Sequence, residues 1–174
     1  MSEAKNEPLE IERRFLIRRP SEQMLLGVLR ATPREIRQTY LVAPEGWSSE
    51  RVRMSRTSSG VIYAHTRKCR LSRMAAIEEE AEVTEAEYEE LLQRADRSRR
   101  VLEKCRYTFT RGERTYEIDL YPFWRRCAIL EVELPSEDAL LPIPEELSVI
   151  REITGERCYS NHALALSVPD EPCL

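Results

Sequence analysis

The sequence predicts an α+β fold: about eight mostly antiparallel strands curved into a barrel with a charged interior, and short helices packed on the outside. Charged residues recur at every second position in segment after segment, which is the period of a strand with two unlike faces. Their signs are segregated by segment. Glu-x-Glu occurs at 10/12, 78/80 and 131/133, whereas basic pairs fall at 51/53 and 104/106. Helical spacing is confined to three short stretches, so the strands must supply the architecture.

In chain order, LEIERRFL (residues 9–16) alternates Glu10, Glu12 and Arg14 with Leu9, Ile11 and Arg13. Pro20 and Ser21 then precede apolar spacing at Met24, Leu25, Val28 and Leu29, which reads as a short helix. IRQTYLV, Arg51 and Arg53 about Val52, and Thr66 and Lys68 within YAHTRK give three strands. Glu78, Glu80 and Glu82 alternate before Val83 in a further one. Thr84 with Glu87 three residues on forms a capping box ahead of Tyr88, Leu91 and Leu92. Beyond this helix, Lys104 and Arg106 alternate with Glu103, Cys105 and Tyr107, and Glu117 and Asp119 with Tyr116, Ile118 and Leu120. Glu131 and Glu133 alternate with Leu130, Val132 and Leu134. Pro142 and Pro144 break the chain, and a last short helix starts near Ser160 and runs through NHALAL. SSG at 58–60 and RGE at 111–113 mark tight turns between strands, so neighbours run antiparallel.

The 174 residues suit one domain, residues 1–174, with 41% hydrophobic and 33% charged side chains. A net charge of −4 gives no global pull toward nucleic acid or an anionic membrane, and no apolar run reaches spanning length. The five cysteines, Cys69, Cys105, Cys127, Cys158 and Cys173, form no C-x-x-C pair and are odd in number. Neither a disulfide framework nor a structural zinc site is suggested, and a reduced cytoplasm fits best. With only His65 and His162, a histidine-rich zinc or iron centre is a poor fit.

A charged strand face is ordinarily the solvated face. Here, however, like charges two apart repel and contribute nothing to the fold unless a multivalent partner sits among them. Carboxylate pairs suit a hard divalent cation such as Mg²⁺ or Mn²⁺. Arginine pairs suit phosphate oxygens through their planar forks. A metal-bridged polyphosphate in the concavity of a curved sheet uses both, and turns the apolar faces outward beneath the helices. Lysine is informative in this setting: of 27 basic residues only Lys5, Lys68 and Lys104 are lysine.

EIERRFLI resembles the E-x-E-x-K opening of the CYTH, or triphosphate tunnel metalloenzyme, family. RQTYL, RVR, YAHTRK, EEEAEV, EKCRY, YEIDLY, ILEVEL and REITGERCYSN follow in the family's order, so the resemblance covers about residues 9 to 166. It implies an eight-stranded antiparallel tunnel. Glu10, Glu12, Asp119, Glu131 and Glu133 would be ligands for one or two Mg²⁺ or Mn²⁺ ions. Arg14, Arg51, Arg53, Lys68 and Arg106 would hold triphosphate oxygens, and Tyr40 and Lys104 fall on a catalytic dyad. Two departures stand out: Arg14 replaces the signature lysine, and the basic residue usual before the Glu-x-Glu at 78/80 is absent at Ala76, with Arg73 close by as a substitute. No role follows for Glu78, Glu80 or Glu82.

The short chain looks most like bacterial inorganic triphosphatases, which implies hydrolysis of tripolyphosphate to pyrophosphate and phosphate, favoured at alkaline pH if the Tyr–Lys pair must lose a proton. An organic triphosphate (thiamine triphosphate, a nucleoside triphosphate, or ATP cyclised to cyclic AMP) is the alternative. It would call on Trp47 or Trp124 for ring stacking, although partly exposed packing is the plainer reading of both. A non-catalytic polyphosphate-binding module is the reading from another class, kept open by Arg14. The expected partner is a triphosphate-bearing small molecule, with no nucleic acid or membrane and with room for a homodimer.

Overall fold

The computed structural model describes residues 9–171; Lys5 and Cys173 lie outside them. The strands are β1 (Leu9–Arg18), β2 (Thr32–Leu41), β3 (Ser49–Thr57), β4 (Gly60–Arg70), β5 (Ala75–Val83), β6 (Leu102–Arg111), β7 (Arg114–Leu120), β8 (Cys127–Glu133) and β9 (Val149–Glu152). They form one sheet in the order β5-β4-β3-β2-β6-β7-β8-β1-β9, and a further β5–β1 pairing closes the first eight into a barrel. Every pairing is antiparallel.

Closure is short. On one edge β1 pairs with β8 from Glu12 to Arg18. Its other edge is divided: Leu9–Ile11 pair with β5, and Phe15–Ile17 pair with β9. The sequence reading has no counterpart of β9, a four-residue strand whose last two residues, Arg151 and Glu152, open the REITGERCYSN segment. The helix expected after Pro20 is realised as a single π-helical turn, Gln23–Val28. The other two helices stand where they were read. α1 (Glu85–Leu92) carries the Thr84–Glu87 capping box, and α2 (Asn161–Leu164) is capped by Ser160.

The apolar faces of the strands do turn outward. Ile11, Phe15, Ile17, Tyr116, Ile118, Leu130 and Val132 are covered by Leu25 of the π-turn and Leu29 just after it, and by Leu134 and Leu147 of the long connection after β8. On the opposite flank Leu41 and Val52 pack beneath Tyr88 of α1. Burying each such side chain contributes roughly 1.5–3 kcal/mol, so the helices and the connection are the outer half of the core.

The inner face is not charged throughout. Two residues beyond Arg14, Lys104, Asp119 and Glu131, on the same face by strand parity, lie Leu16, Leu102, Tyr121 and Ile129. These four cluster with Trp124, Ile153, Tyr159 and Leu164, so the C-terminal segment plugs this end of the barrel with an apolar core. No helix among the described residues is long and apolar enough to cross a membrane.

Candidate active site

Strand register places the alternating charges on one surface. Tyr40 stands opposite Arg51 and Gln38 opposite Arg53 between β2 and β3, and Lys68 opposite Glu78 and Thr66 opposite Glu80 between β4 and β5. Arg106 faces Asp119 across β6–β7, Glu117 faces Glu131 across β7–β8, and Arg14 and Glu12 face Glu131 and Glu133 across β8–β1. The enclosed cavity has a volume of about 1060 Å³. Eleven of the twelve residues singled out from sequence line it: Glu10, Glu12, Arg14, Tyr40, Arg51, Arg53, Lys68, Lys104, Arg106, Glu131 and Glu133.

Asp119 is placed differently. It is fully buried beneath Lys104 and Arg106, accepting from Lys104 Nζ at 2.5 Å and from Arg106 Nε and Nη2 at 2.7 Å each. In this arrangement it orients two cations. Arg106 also donates to Glu117 and, at 2.5 Å, to Glu131. Burial works against ionising Glu131, but Arg106 and Arg14 outweigh it and hold the carboxyl well below the usual range.

Glu10 and Glu12 respond in the opposite direction. Burial, with Glu78 and Glu12 adding repulsion against the pull of Lys68, raises the Glu10 carboxyl to about 7. Burial and Glu131 raise Glu12 as well. Burial and neighbouring carboxylates thus disfavour the charged form of both, and an added cation would favour it. No three carboxylates converge into a ready-made cage among the described residues. A hard cation that takes most of its oxygens from water and substrate phosphates needs only one or two carboxylates, so Glu10 and Glu12 fit one.

Lys104 and Tyr40, the two dyad positions, both line the cavity. The Tyr40 hydroxyl accepts from Gln38 Nε2 at 3.0 Å, and its ring meets His162 edge-on with centroids 4.9 Å apart. Burial pushes the Tyr40 hydroxyl up, so it stays a neutral phenol. Burial and the neighbouring Arg106 guanidinium bring Lys104 down to about 8 despite Asp119. Asn161 and Tyr121 complete its surroundings. Lys104 Nζ lies 3.5 Å from Asn161 Oδ1, which accepts from the Tyr121 hydroxyl at 2.6 Å.

Glu78 and Glu80, to which the sequence assigned no role, pair the arginines of β3. Arg51 Nη2 is 3.3 Å from Glu78 Oε1, and Arg53 Nη2 is 2.7 Å from Glu80 Oε1. Lys68 Nζ bridges Glu10 at 2.5 Å and Glu78 at 3.2 Å. The Nε–H groups of Arg51 and Arg53 are buried and have no acceptor among the described residues. Gln38, Glu117 and Asn161 also line the cavity. Gln38 carries no charge to reveal it, whereas the cross-strand pairing of Glu78 and Glu80 depends on a register that sequence parity leaves open.

Trp124 is not a stacking group. It lies in the apolar plug, 2% exposed, with its Nε1 donating to Pro169 O at 3.2 Å, and Trp47 does not line the cavity.

The inorganic triphosphatase of Nitrosomonas europaea is 32% identical to the chain over 164 residues, which span 92% of this chain and 99% of that protein. The chain belongs to the CYTH, or triphosphate tunnel metalloenzyme, family. A crystal structure of the inorganic triphosphatase NE1496 superposes with a TM-score of 0.54 at 29% identity, covering 92% of this chain and 97% of that one. The PH1819 protein of Pyrococcus horikoshii OT3 shares the fold at 17% identity, with a TM-score of 0.54 over 74% of this chain and 80% of its own. No protein-family profile matches the chain. The residues that carry the resemblance thus sit on a barrel of the family's fold.

Proposed function

We propose that this CYTH protein hydrolyses a triphosphate with the aid of Mg²⁺ or Mn²⁺, and that inorganic tripolyphosphate, cleaved to pyrophosphate and phosphate, is its preferred substrate. The observation that carries the reading is the pair of buried Nε–H groups on Arg51 and Arg53, which lack an acceptor although both guanidiniums already pair with carboxylates. Buried donors without partners are rare in folded proteins and mark a place where a ligand supplies the acceptor. The 32%-identical relative that bears the name inorganic triphosphatase supports the same substrate.

A divalent cation bound at Glu10 and Glu12 would neutralise phosphate oxygens and weaken the bond to the leaving group. The protein's own groups do the rest. Arg51, Arg53, Lys68 and Arg106 hold the chain of phosphates in line, and their fixed charges face the negative charge that spreads over the transferred group. Lys104, lowered to about 8 by burial and Arg106, takes the proton of the attacking water, while Asp119 and Asn161 fix its position. Arg14, 5% exposed and donating to Glu131 and to Tyr159 O, supports the floor of the site.

Phosphate release from tripolyphosphate, ATP and thiamine triphosphate, each with and without Mg²⁺ or Mn²⁺, tests the proposal. Metal-dependent release fastest from tripolyphosphate is expected. Release from none of the three would leave a binding module, and preference for an organic triphosphate would reassign the substrate.

A further inference from the structure

One stretch of chain that belongs to neither helix nor strand, residues 93–101 between α1 and β6, runs from the outer wall of the barrel into the cavity. β6 lies beside β2 only as far as Gln38. Beyond that point the stretch takes its place. Asp96 N donates to Tyr40 O at 2.9 Å, Val42 N donates to Arg94 O at 3.1 Å, and Ala95 bridges Leu41. Toward its far end, Arg100 N donates to Ala165 O at 2.8 Å.

On the outer wall the stretch is fastened by a buried carboxylate. Glu50 precedes Arg51 on β3 and so faces outward by strand parity, yet its side chain is fully buried. It accepts from Arg94 Nη2 at 2.6 Å, from His65 Nε2 at 2.7 Å and from Arg67 Nε at 3.2 Å. A buried carboxylate is tolerated only when such donors fill its lone pairs, which holds Arg94 to one place.

Inside the barrel the same stretch brings in Arg99. This side chain lines the cavity, and its Nη1 donates to His162 O at 2.5 Å. Asp96, whose Oδ1 accepts from the Ser98 amide and hydroxyl at 2.9 and 2.6 Å, lies 3.2 Å from Arg99 Nε through Oδ2. The Nε–H is not aimed at that oxygen. Like those of Arg51 and Arg53, it is buried with no hydrogen-bond acceptor among the described residues. Buried donors without partners mark a place where a ligand supplies the acceptor. Charge alternation along strands could not reveal this one, because Arg99 stands in no strand.

We propose that Arg99 is a further substrate-binding residue, supplied by a strap outside the barrel strands, and that Glu50 is its positioning residue, acting from the outer wall through Arg94. The atom Arg99 takes is an anionic phosphate oxygen. This rests on the triphosphate reading of the barrel and extends it to a connection that carries no strand.

The test is a double-mutant cycle of Arg94→Gln and Arg99→Gln in the full chain. Titration calorimetry with tripolyphosphate gives Kd without turnover, and phosphate release gives kcat and KM. Arg99→Gln should raise Kd and KM about tenfold, as loss of one charge-assisted contact does, with kcat nearly unchanged. Arg94→Gln should raise both by a few fold, and Arg94→Lys should recover most of that loss. The double variant should bind no more weakly than Arg99→Gln alone, because both changes remove the same contact. Arg94 is substituted because its side chain is 45% exposed, whereas removing Glu50 would strand three buried donors. Should Arg94→Gln fail to fold, Arg94→Lys takes its place in the cycle. A parental Kd in Arg99→Gln overturns the binding role. A lowered Tm with unchanged Kd in Arg94→Gln, or losses that add in the double variant, overturns the positioning role. No binding of tripolyphosphate by the parent protein removes the barrel reading and this proposal together.

Discussion

Arg14 and Glu131 are cross-strand partners on the inner face of the barrel, with Nε of one 3.1 Å from Oε1 of the other, while the next residue back, Arg13, pairs with Glu152 on the outside. One strand therefore presents adjacent arginines to a ligand cavity and to solvent. Arg14→Ala leaves Glu131 with one cation fewer and frees the Tyr159 carbonyl. It should cost ~1–3 kcal/mol in chemical denaturation and lower turnover of tripolyphosphate. Arg13→Ala breaks an exposed pair that is worth ~0–1 kcal/mol and should leave the kinetics unchanged. Arg14→Lys keeps the charge but cannot serve Glu131 and Tyr159 together, so its turnover should fall between the two. Identical kinetics for Arg13→Ala and Arg14→Ala would contradict the inward placement.

Much of this was legible in the sequence because charge parity along a strand survives any register. Glu10, Glu12 and Arg14, or Lys104 and Arg106, share a face whatever they pair with. The parity argument has no means of saying where a face changes character. The switch from Arg14 to Leu16 and from Glu131 to Ile129 reads as more of the same alternation. Only the packing of Ile153, Tyr159 and Leu164 onto those residues shows that one end of the barrel is an apolar plug. The four-residue β9 was missed for the same reason, being an edge strand fixed by its partner β1. The apolar spacing after Pro20 gave a helix, but its few residues close only one π-type turn.

Lys104 should set the pH profile. Its folded pKa is lowered to about 8, so the amine is protonated below that and neutral above. If the neutral amine accepts the proton of water, kcat rises through about pH 8 and levels off. Tyr40→Phe should keep that limb, because the phenol does not titrate there, whereas Lys104→Gln should remove it. A rate limb near pH 8 that persists in Lys104→Gln would assign it to another group.

A cation bound at Glu10 would be proton-linked. The Glu10 carboxyl is raised from 4.5 to about 7, so below pH 7 a cation must displace a proton. Apparent affinity for Mn²⁺ in the absence of substrate should therefore increase up to about pH 7 and flatten above it. Calorimetry in buffers of different ionisation enthalpy should detect proton release at pH 6. The stability sign follows too. The raised pKa favours the folded state below the unfolded value, and that contribution is lost as pH rises through 7. Glu10→Gln should therefore stabilise the metal-free protein at pH 8. Metal affinity that does not vary with pH would remove Glu10 from the site.

Gly155 packs directly on Arg73. Its φ is +78°, and an added Cβ would lie 2.9 Å from Arg73 Nε. Gly155→Ala therefore combines left-handed backbone strain with displacement of the Arg73 side chain, and should cost about 1–3 kcal/mol, read as a drop in Tm. A Tm unchanged from the parent protein would show that the turn relaxes freely.

The central claim is that the inner face, and not the outer, binds triphosphate, and β3 tests it within one strand. Arg51 and Arg53 face inward with unpaired Nε–H groups, whereas Arg56 faces outward and lies 3.9 Å from Glu35. The measurement is kcat/KM for tripolyphosphate at saturating Mg²⁺ in Arg51→Gln/Arg53→Gln and in Arg56→Gln. The inward pair should lose on the order of 10²-fold or more, since each contact to a charged phosphate contributes ~1.5–3 kcal/mol. Arg56→Gln should stay within about twofold of the parent protein, as surface changes usually do. Equal values for the two variants would contradict the claim.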